Sequence, residues 1–293
     1  MPSIFDGLDE IINSFLGIDE TWISSKKSQL RYEHGETLLR LCKGVVPQNV
    51  KGVVPQNVNC SELINALFDQ VNLTWNTLAP NYTPRPPSPQ NWRRQENPYV
   101  DPDRSLDEVV LERTITQVTD GNWWNQIPVE QTLLGVRRGK VIDLVHRDGF
   151  EGKDIEIIEL KTGKYTPLSA TGQVLKYGIA YAFYRSRYKD LFNSEPAAEL
   201  LKSSRITLVV LAPWKFYKPF ENCDWLARLE VSLDKALQKF SKGHENTLPK
   251  MGFRFQTFPK DFVWSGTNDD PSTETQKKVL WAIHHREAAF GNN

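Results

Sequence analysis

Asp154-Ile155-Glu156-Ile157-Ile158-Glu159-Leu160-Lys161 is the stretch whose reading decides the fold. It is rich in isoleucine, whose branched side chain suits a pleated surface, and so predicts a β-strand over 154–161. Glu159 and Lys161 are charged, stand at its apolar end and, being two apart, project from one face. Upstream, Val141-Ile142-Asp143-Leu144-Val145 repeats the anomaly, a single acid in an apolar run, and predicts a strand over 140–146. The connection between them, Asp148-Gly149-Phe150-Glu151-Gly152, is short and contains two glycines. Strands so joined pair antiparallel, which can bring Asp143 beside Glu159. An uncompensated carboxylate in a core-like strand is costly, so each acid asks for a partner. Two carboxylates, one ammonium and the main-chain carbonyl of Leu160 then converge, and a divalent cation is a partner for such hard oxygens.

Working outward, residues 105–117 read as a helix, with Leu106, Val109, Val110 and Ile115 apolar and Ser105 with Glu108 forming a capping box. A strand is predicted over 126–134, and Arg137-Arg138-Gly139 turns the chain into the strand at 140. Beyond Lys161, residues 169–187 read as a helix and 206–211 as an almost wholly apolar strand, as a buried central strand should be. A helix over 225–240 and a strand over 253–258 follow. The fold class is therefore α/β: a mixed central sheet flanked by helices, in the order αβββαβ, with an αβ extension at the C-terminal end. Ahead of it, residues 1–79 form an N-terminal helical region. Leu8, Ile11, Ile12, Phe15 and Leu16 recur at helical spacing, and so do Leu30, Leu38, Leu39 and Leu41. A third helix spans 61–75, capped by Asn59 or Ser61, with Leu63, Leu67, Phe68 and Val71 as its buried stripe. Residues 80–102 are a Pro-rich linker or strap, and 103–293 the α/β domain. Two copies of Lys-Gly-Val-Val-Pro-Gln-Asn-Val, at 43–50 and 51–58, are too short and too few for a solenoid and read as a local duplication in a surface loop.

Asp143, fifteen residues, then Glu159-Leu160-Lys161, on strands in this order, resembles the PD-(D/E)XK nuclease superfamily. Gln173-Val174-Leu175-Lys176-Tyr177 on the following helix resembles the Q-x-x-x-Y element of its RecB-like branch. Gln173 and Tyr177 lie one turn apart and share a face. The likeness covers about residues 105–212, little more than a third of the chain, and implies a restriction-endonuclease-like core. It implies a Mg²⁺ or Mn²⁺ ion held by Asp143, Glu159 and the main-chain oxygen of Leu160, with an acid of the first core helix completing the site. That acid matches Glu112, with Glu108 the second choice. Asp143, Glu159 and Lys161 are then the catalytic set. The metal lowers the pKa of a bound water and neutralises charge on a phosphate, while Lys161 orients or helps deprotonate that water. Two departures stand out: Ile142 precedes Asp143 where proline is common in the family, and the four-cysteine cluster of some RecB-like members is missing.

The totals narrow the partners. Acids and bases balance at 36 each, so a polyanion must be met by a local basic patch. Lys161, Lys164, Lys176, Arg185, Arg187 and Lys189 supply one, because no acid interrupts 161–189. Gln173, Tyr177, Lys164 and Lys176 are the expected nucleic-acid contacts. Tyr165, Tyr177, Tyr181, Tyr184 and Tyr188, interleaved with the cations, either stack on bases or pack their helix onto the sheet. Cys42, Cys60 and Cys223 lie far apart and form no metal-ligand pair. A structural zinc, an iron–sulfur cluster or a disulfide framework is not indicated, and a cytoplasmic setting fits. No apolar run approaches a membrane span, and Met1-Pro2-Ser3-Ile4-Phe5-Asp6 does not open a secretory signal. The expectation is a metal-dependent deoxyribonuclease acting in DNA repair, restriction or defence. Two alternatives are a nuclease-like fold kept as a binding or assembly module, and a structural salt-bridge set. The N-terminal helices offer a surface for a homodimer or a partner protein.

Overall fold

A computed structural model describes residues 3–15, 38, 42, 58–78, 92, 107–129, 140–148, 153–163, 165–187, 199–264 and 272–290. Their main elements are α1 (Leu8–Phe15), α2 (Cys60–Leu78), α3 (Asp107–Val118), β1 (Trp123–Val129), β2 (Lys140–Asp148), β3 (Asp154–Leu160), α4 (Pro167–Arg187), β4 (Arg205–Ala212), α5 (Trp214–Tyr217), α6 (Asp224–Gly243), β5 (Lys250–Thr257), α7 (Thr273–His284) and β6 (Glu287–Ala288). The strands form one mixed sheet in sequence order. β1, β2 and β3 pair antiparallel, β3–β4 and β4–β5 parallel, and β5–β6 antiparallel. The parallel connections run through α4 and α6, as parallel neighbours require. The chain is thus α/β, with helices on both faces of a six-stranded sheet.

The larger core lies on one face, where Ile155, Ile157, Ile206, Leu208 and Val210 meet α4 and α6. Helices α1 and α2 belong to the same core through Leu8, Ile12, Leu63, Leu67 and Val71, so the N-terminal helical region is built onto the sheet domain. Asn59 caps α2, its side chain accepting from the Glu62 N–H at 3.3 Å. The other face is covered by α3 and α7, which bury Leu111, Ile115, Val279 and Ile283 over Leu144, Ile158 and Val209. Gly178 allows α4 to approach the sheet, because a Cβ there would stand 2.4 Å from a Leu208 methyl.

Several boundaries differ from the sequence reading. The first strand begins at Trp123 rather than 126, and residues 130–139 lie outside the described residues. Pro128 fits because β1 is an edge strand, where a missing N–H disturbs one neighbour only. The helix Thr273–His284 and strand β6 add to the expected αβ extension; Ser272 caps that helix by accepting from Thr275 N at 3.3 Å. Most of the expected second helix, the tandem octapeptide up to Asn57 and most of the Pro-rich segment lie outside the described residues. From that segment Trp92 is described, fully buried, its backbone N–H donating to Pro128 O at 3.1 Å.

The cysteines need correction. Cys42 and Cys223, 181 positions apart, form a disulfide with Cα atoms 4.7 Å apart, and Cys60 is free and buried. Spacing along the chain says nothing about which cysteines fold together, which is why the pairing was missed. Denatured without reductant, the protein should show one reactive thiol, and after reduction three. Three thiols under both conditions would show that the bond does not form.

The free edge of β5 is closed by α6. The N–H groups of Met251, Phe253 and Phe255 donate to Ser241 Oγ, Asp234 Oδ1 and Glu230 Oε1 at 3.2, 3.1 and 2.9 Å. Gly252 makes room for Asp234, whose oxygen would lie 2.7 Å from a Cβ there. Burial pushes the Glu230 carboxyl up to about 7 from 4.5, against the pull of the Phe255 N–H. A carboxyl whose pKa rises on folding binds its proton more tightly in the native state. Its contribution to stability therefore declines as pH rises from 4.5 to about 7 and stays low above that. Glu230→Gln keeps the acceptor and removes the charge. It should stabilise the protein by about 1–3 kcal/mol near pH 8 and by almost nothing near pH 4. Chemical denaturation at the two pH values reads this directly, and an equal effect at both refutes it. Among the described residues, no helix is long and apolar enough to cross a membrane.

Candidate active site

Strands β2 and β3 pair up to Leu144↔Ile158, and Asp143 and Glu159 stand one residue beyond the last pair. There Asp143 turns its carboxylate into the gap, and Oδ2 accepts the Leu160 N–H at 3.0 Å. The alternation of side chains also slips at this point. Trp124 and Ile127 of β1 face the same core, as do Val145 and Ile142 of β2, although each pair is three residues apart. The residues between them include Gln126, whose φ is +52°, a left-handed conformation that costs a non-glycine residue about 1–3 kcal/mol. Its side chain donates to Glu112 Oε2 at 2.5 Å. The strained residue thus faces Glu112, and its partner strand carries Asp143.

Lys161, immediately after β3, has its N–H bonded to Leu211 O at 2.9 Å, which anchors it to the central strand β4. Its ammonium is 2.6 Å from Glu159 Oε1, 3.1 Å from Glu108 Oε1 and 3.9 Å from Asp143 Oδ2. Tyr165 lies beneath it, with the ring centroid 5.1 Å away. Glu108, in the first turn of α3, also accepts the Thr162 N–H at 3.2 Å, clamping the end of β3. Sequence reasoning had placed this glutamate in a capping box. Ser105 lies outside the described residues, and the carboxylate spans to Lys161 and Thr162 instead. Of the two helix acids, the second choice Glu108 touches Lys161, while Glu112 sits one turn further on with Gln126.

Four carboxylates surround one ammonium, and their protonation reflects the imbalance. Burial, reinforced by Glu159, holds Asp143 well above the usual carboxylate range. Burial raises Glu159 too, against the pull of Lys161, and pushes Glu112 up to about 8. Burial works against the Lys161 charge, but Glu159, Asp143 and Glu108 outweigh it and hold the ammonium above the ordinary lysine range. Lys161 is therefore a fixed cation in this arrangement, suited to stabilising negative charge more than to taking a proton.

The cluster fits a further cation. Its acids exceed its cations, and Glu159 Oε2, a hard oxygen, is buried with no hydrogen-bond partner among the described residues. Yet no three His, Cys, Asp or Glu side chains among the described residues are grouped to hold a metal ion. The donor set that fits is two acids and the Leu160 carbonyl, with water supplying the rest, as suits Mg²⁺.

The expected nucleic-acid contacts are more dispersed. Gln173 is half-buried, with Oε1 unpartnered among the described residues. Tyr177 is buried, its ring edge-on to Phe5 at 6.5 Å, and burial plus the nearby carboxylates raise its hydroxyl pKa. Lys176 is buried too, and Asp9 of α1 holds its ammonium at 2.7 Å. Lys164 lies outside the described residues. Arg185 bonds Thr247 O, and Arg187 bonds Asn72 and Asn76. The charges of 161–187 are thus largely spent on internal partners. Tyr177, Tyr181 and Tyr184 pack inward, as the packing alternative had it. Sequence reasoning missed Gln126, Asp9 and the Glu108 clamp; only the acid pair at 108 and 112, on one helix face, signalled any of them.

No family model, no curated protein and no solved structure matches the chain. Function must accordingly be argued from the site itself.

Proposed function

We propose that the chain is a metal-dependent nuclease with a restriction-endonuclease-like core, hydrolysing DNA phosphodiester bonds at the Asp143–Glu159–Lys161 cluster. The observation that supports this best is the convergence itself: two acids from neighbouring strands, an ammonium and an unpartnered carboxylate oxygen at one strand end. The element order from α3 to β4, a helix, three antiparallel strands, a helix and a parallel strand, agrees with the resemblance in its motif. Mg²⁺ or Mn²⁺, held by Asp143, Glu159 and the Leu160 carbonyl, would supply an activated water and neutralise phosphate charge. Lys161 adds a fixed positive charge beside that position, and Glu108 keeps it there. Glu112 and Gln126 form the adjoining wall. On α4, half-buried Gln173 stays the expected substrate contact, while Tyr177, packed inward, backs the acids of the cluster. Repair, restriction and defence are all processes such an enzyme serves. The test is direct: purified protein with Mg²⁺ or Mn²⁺ should cut single- or double-stranded DNA, and failure with both metals on both substrates refutes the proposal.

One observation favours a second reading, a nuclease-like module that binds without cutting. The Lys161 ammonium already lies within hydrogen-bonding distance of Glu159 and so occupies one of the acids that a metal would need. Calorimetry separates the two: Mn²⁺ uptake supports the nuclease, whereas DNA binding without Mn²⁺ uptake supports the module.

A further inference from the structure

Glu156 lies three residues before Glu159 on β3 and so projects from the opposite face of the sheet. It is 3% exposed, and three groups contact its carboxylate: His146 Nδ1 at 2.8 Å, Arg254 Nη2 at 2.9 Å and Arg286 Nη1 at 2.9 Å. Burial alone would raise its pKa, but the His146 hydrogen bond and the two guanidinium groups bring it down to about 2. It is therefore ionised, accepts only, and fixes the proton of His146 on Nδ1. One negative charge thus stands against two guanidinium charges, leaving a net positive charge before either nearby histidine is protonated.

Arg286 has donors to spare. Nε donates to Ile283 O at 3.1 Å, and Nη1 donates to Glu156 and to Gln256 Oε1 at 2.8 Å. Nη2 has one neighbour, His146 Nδ1 at 3.4 Å, and that nitrogen is itself a donor. Among the described residues, then, Nη2 has no acceptor. The guanidinium and the imidazole both lie against Trp123, at 4.8 and 4.3 Å from the ring, so their contact with each other puts them side by side on one face of the indole. This wall of donors opens onto a cavity of about 170 Å³, lined also by Ile283, Gln256 and His284. The space equals roughly five or six water molecules at about 30 Å³ each, too little for a whole nucleotide.

We propose that this cavity is a binding site for a small tetrahedral oxyanion of the phosphate class, held by Arg286 Nη2 with His146 and His284 at its rim. Nη2 offers an oxyanion a charged N–H donor, and stacking against Trp123 keeps it oriented at little entropic cost. The oxyanion is either free or the terminal group of a nucleotide whose remainder stays outside. The site lies three residues along β2 and β3 from Asp143 and Glu159, with Glu156 on the opposite face of β3 from Glu159, and does not depend on any cleavage activity.

The full chain, without divalent metal, is titrated with inorganic phosphate and, separately, with a nucleoside 5′-monophosphate, against chloride at matched ionic strength. The ring nitrogens of His146 and the Trp123 indole N–H are followed by NMR. A saturable shift with inorganic phosphate is expected. Arg286→Lys, which keeps the charge but loses the planar donor held on Trp123, should weaken it by about tenfold, one charged hydrogen bond's worth. His284→Gln, at an exposed position that leaves the Glu156 cluster intact, should also weaken it. Tighter binding of the nucleotide identifies a terminal phosphate as the occupant, and equal binding identifies the free ion. No saturable shift with either ligand, or wild-type affinity in both variants, overturns the proposal.

Discussion

Lys161→Ala is expected to lower the rate of DNA cleavage by about two to three orders of magnitude while leaving Mn²⁺ uptake in place. The size is that of removing one preorganised electrostatic group from a water-poor site, about 3–4 kcal/mol. Lys161 is 3% exposed and its ammonium lies among Glu159, Glu108 and Asp143, so its charge is screened little by solvent. Asp143→Ala should remove both cleavage and metal uptake, because its carboxylate is a proposed ligand and also holds the Leu160 N–H in place. The two variants therefore separate by calorimetry although both are inactive in the cleavage assay. Lys161→Ala leaves four acids without their ammonium, so its melting temperature should recover when Mn²⁺ is added. Cleavage at the wild-type rate by either variant would remove the cluster from the chemistry.

Trp92→Ala should cost about 3–5 kcal/mol of unfolding free energy, the usual range for deleting a fully buried tryptophan. The ring meets Tyr181 edge-on at 5.5 Å and lies tilted against Tyr184 at 5.8 Å, both on α4. The backbone N–H of Trp92 joins the edge strand β1 through Pro128 O, a bond that the substitution leaves in place. Removing it opens a cavity over the helix that carries Gln173 and Tyr177. Trp92→Phe should cost less, since the indole Nε1–H is buried without a partner among the described residues and its loss relieves that penalty. Urea denaturation measures both; a loss below about 1 kcal/mol for Trp92→Ala would mean that residue 92 only rests on the surface.

The central elements were legible because their signals are local. The apolar runs at 141–145 and 155–160 announced strands, and the lone charges in them announced where chemistry would sit. The structure sets Asp143 and Glu159 next to each other where the pairing of β2 with β3 ends, as the short connection implied. What could not be read depends on partners distant in sequence. Glu108 looked like a capping residue until Lys161 and Thr162, more than fifty positions away, gave it another use. Lys176 looked like a phosphate contact until Asp9 occupied it. Cys42 and Cys223 carried no pairing signal at all. Gln126 was hidden for a different reason: no local rule favours a left-handed glutamine within a strand, and only its place opposite Asp143 gives the strain a setting.

The seal along β5 bears on how other proteins can meet this one. An unpaired strand edge ordinarily invites an extended peptide to add itself to the sheet, with main-chain hydrogen bonds supplying the affinity. Here Glu230, Asp234 and Ser241 already take the N–H groups that such a guest would bind. A partner arriving at this side has no template to extend and must recognise side chains instead.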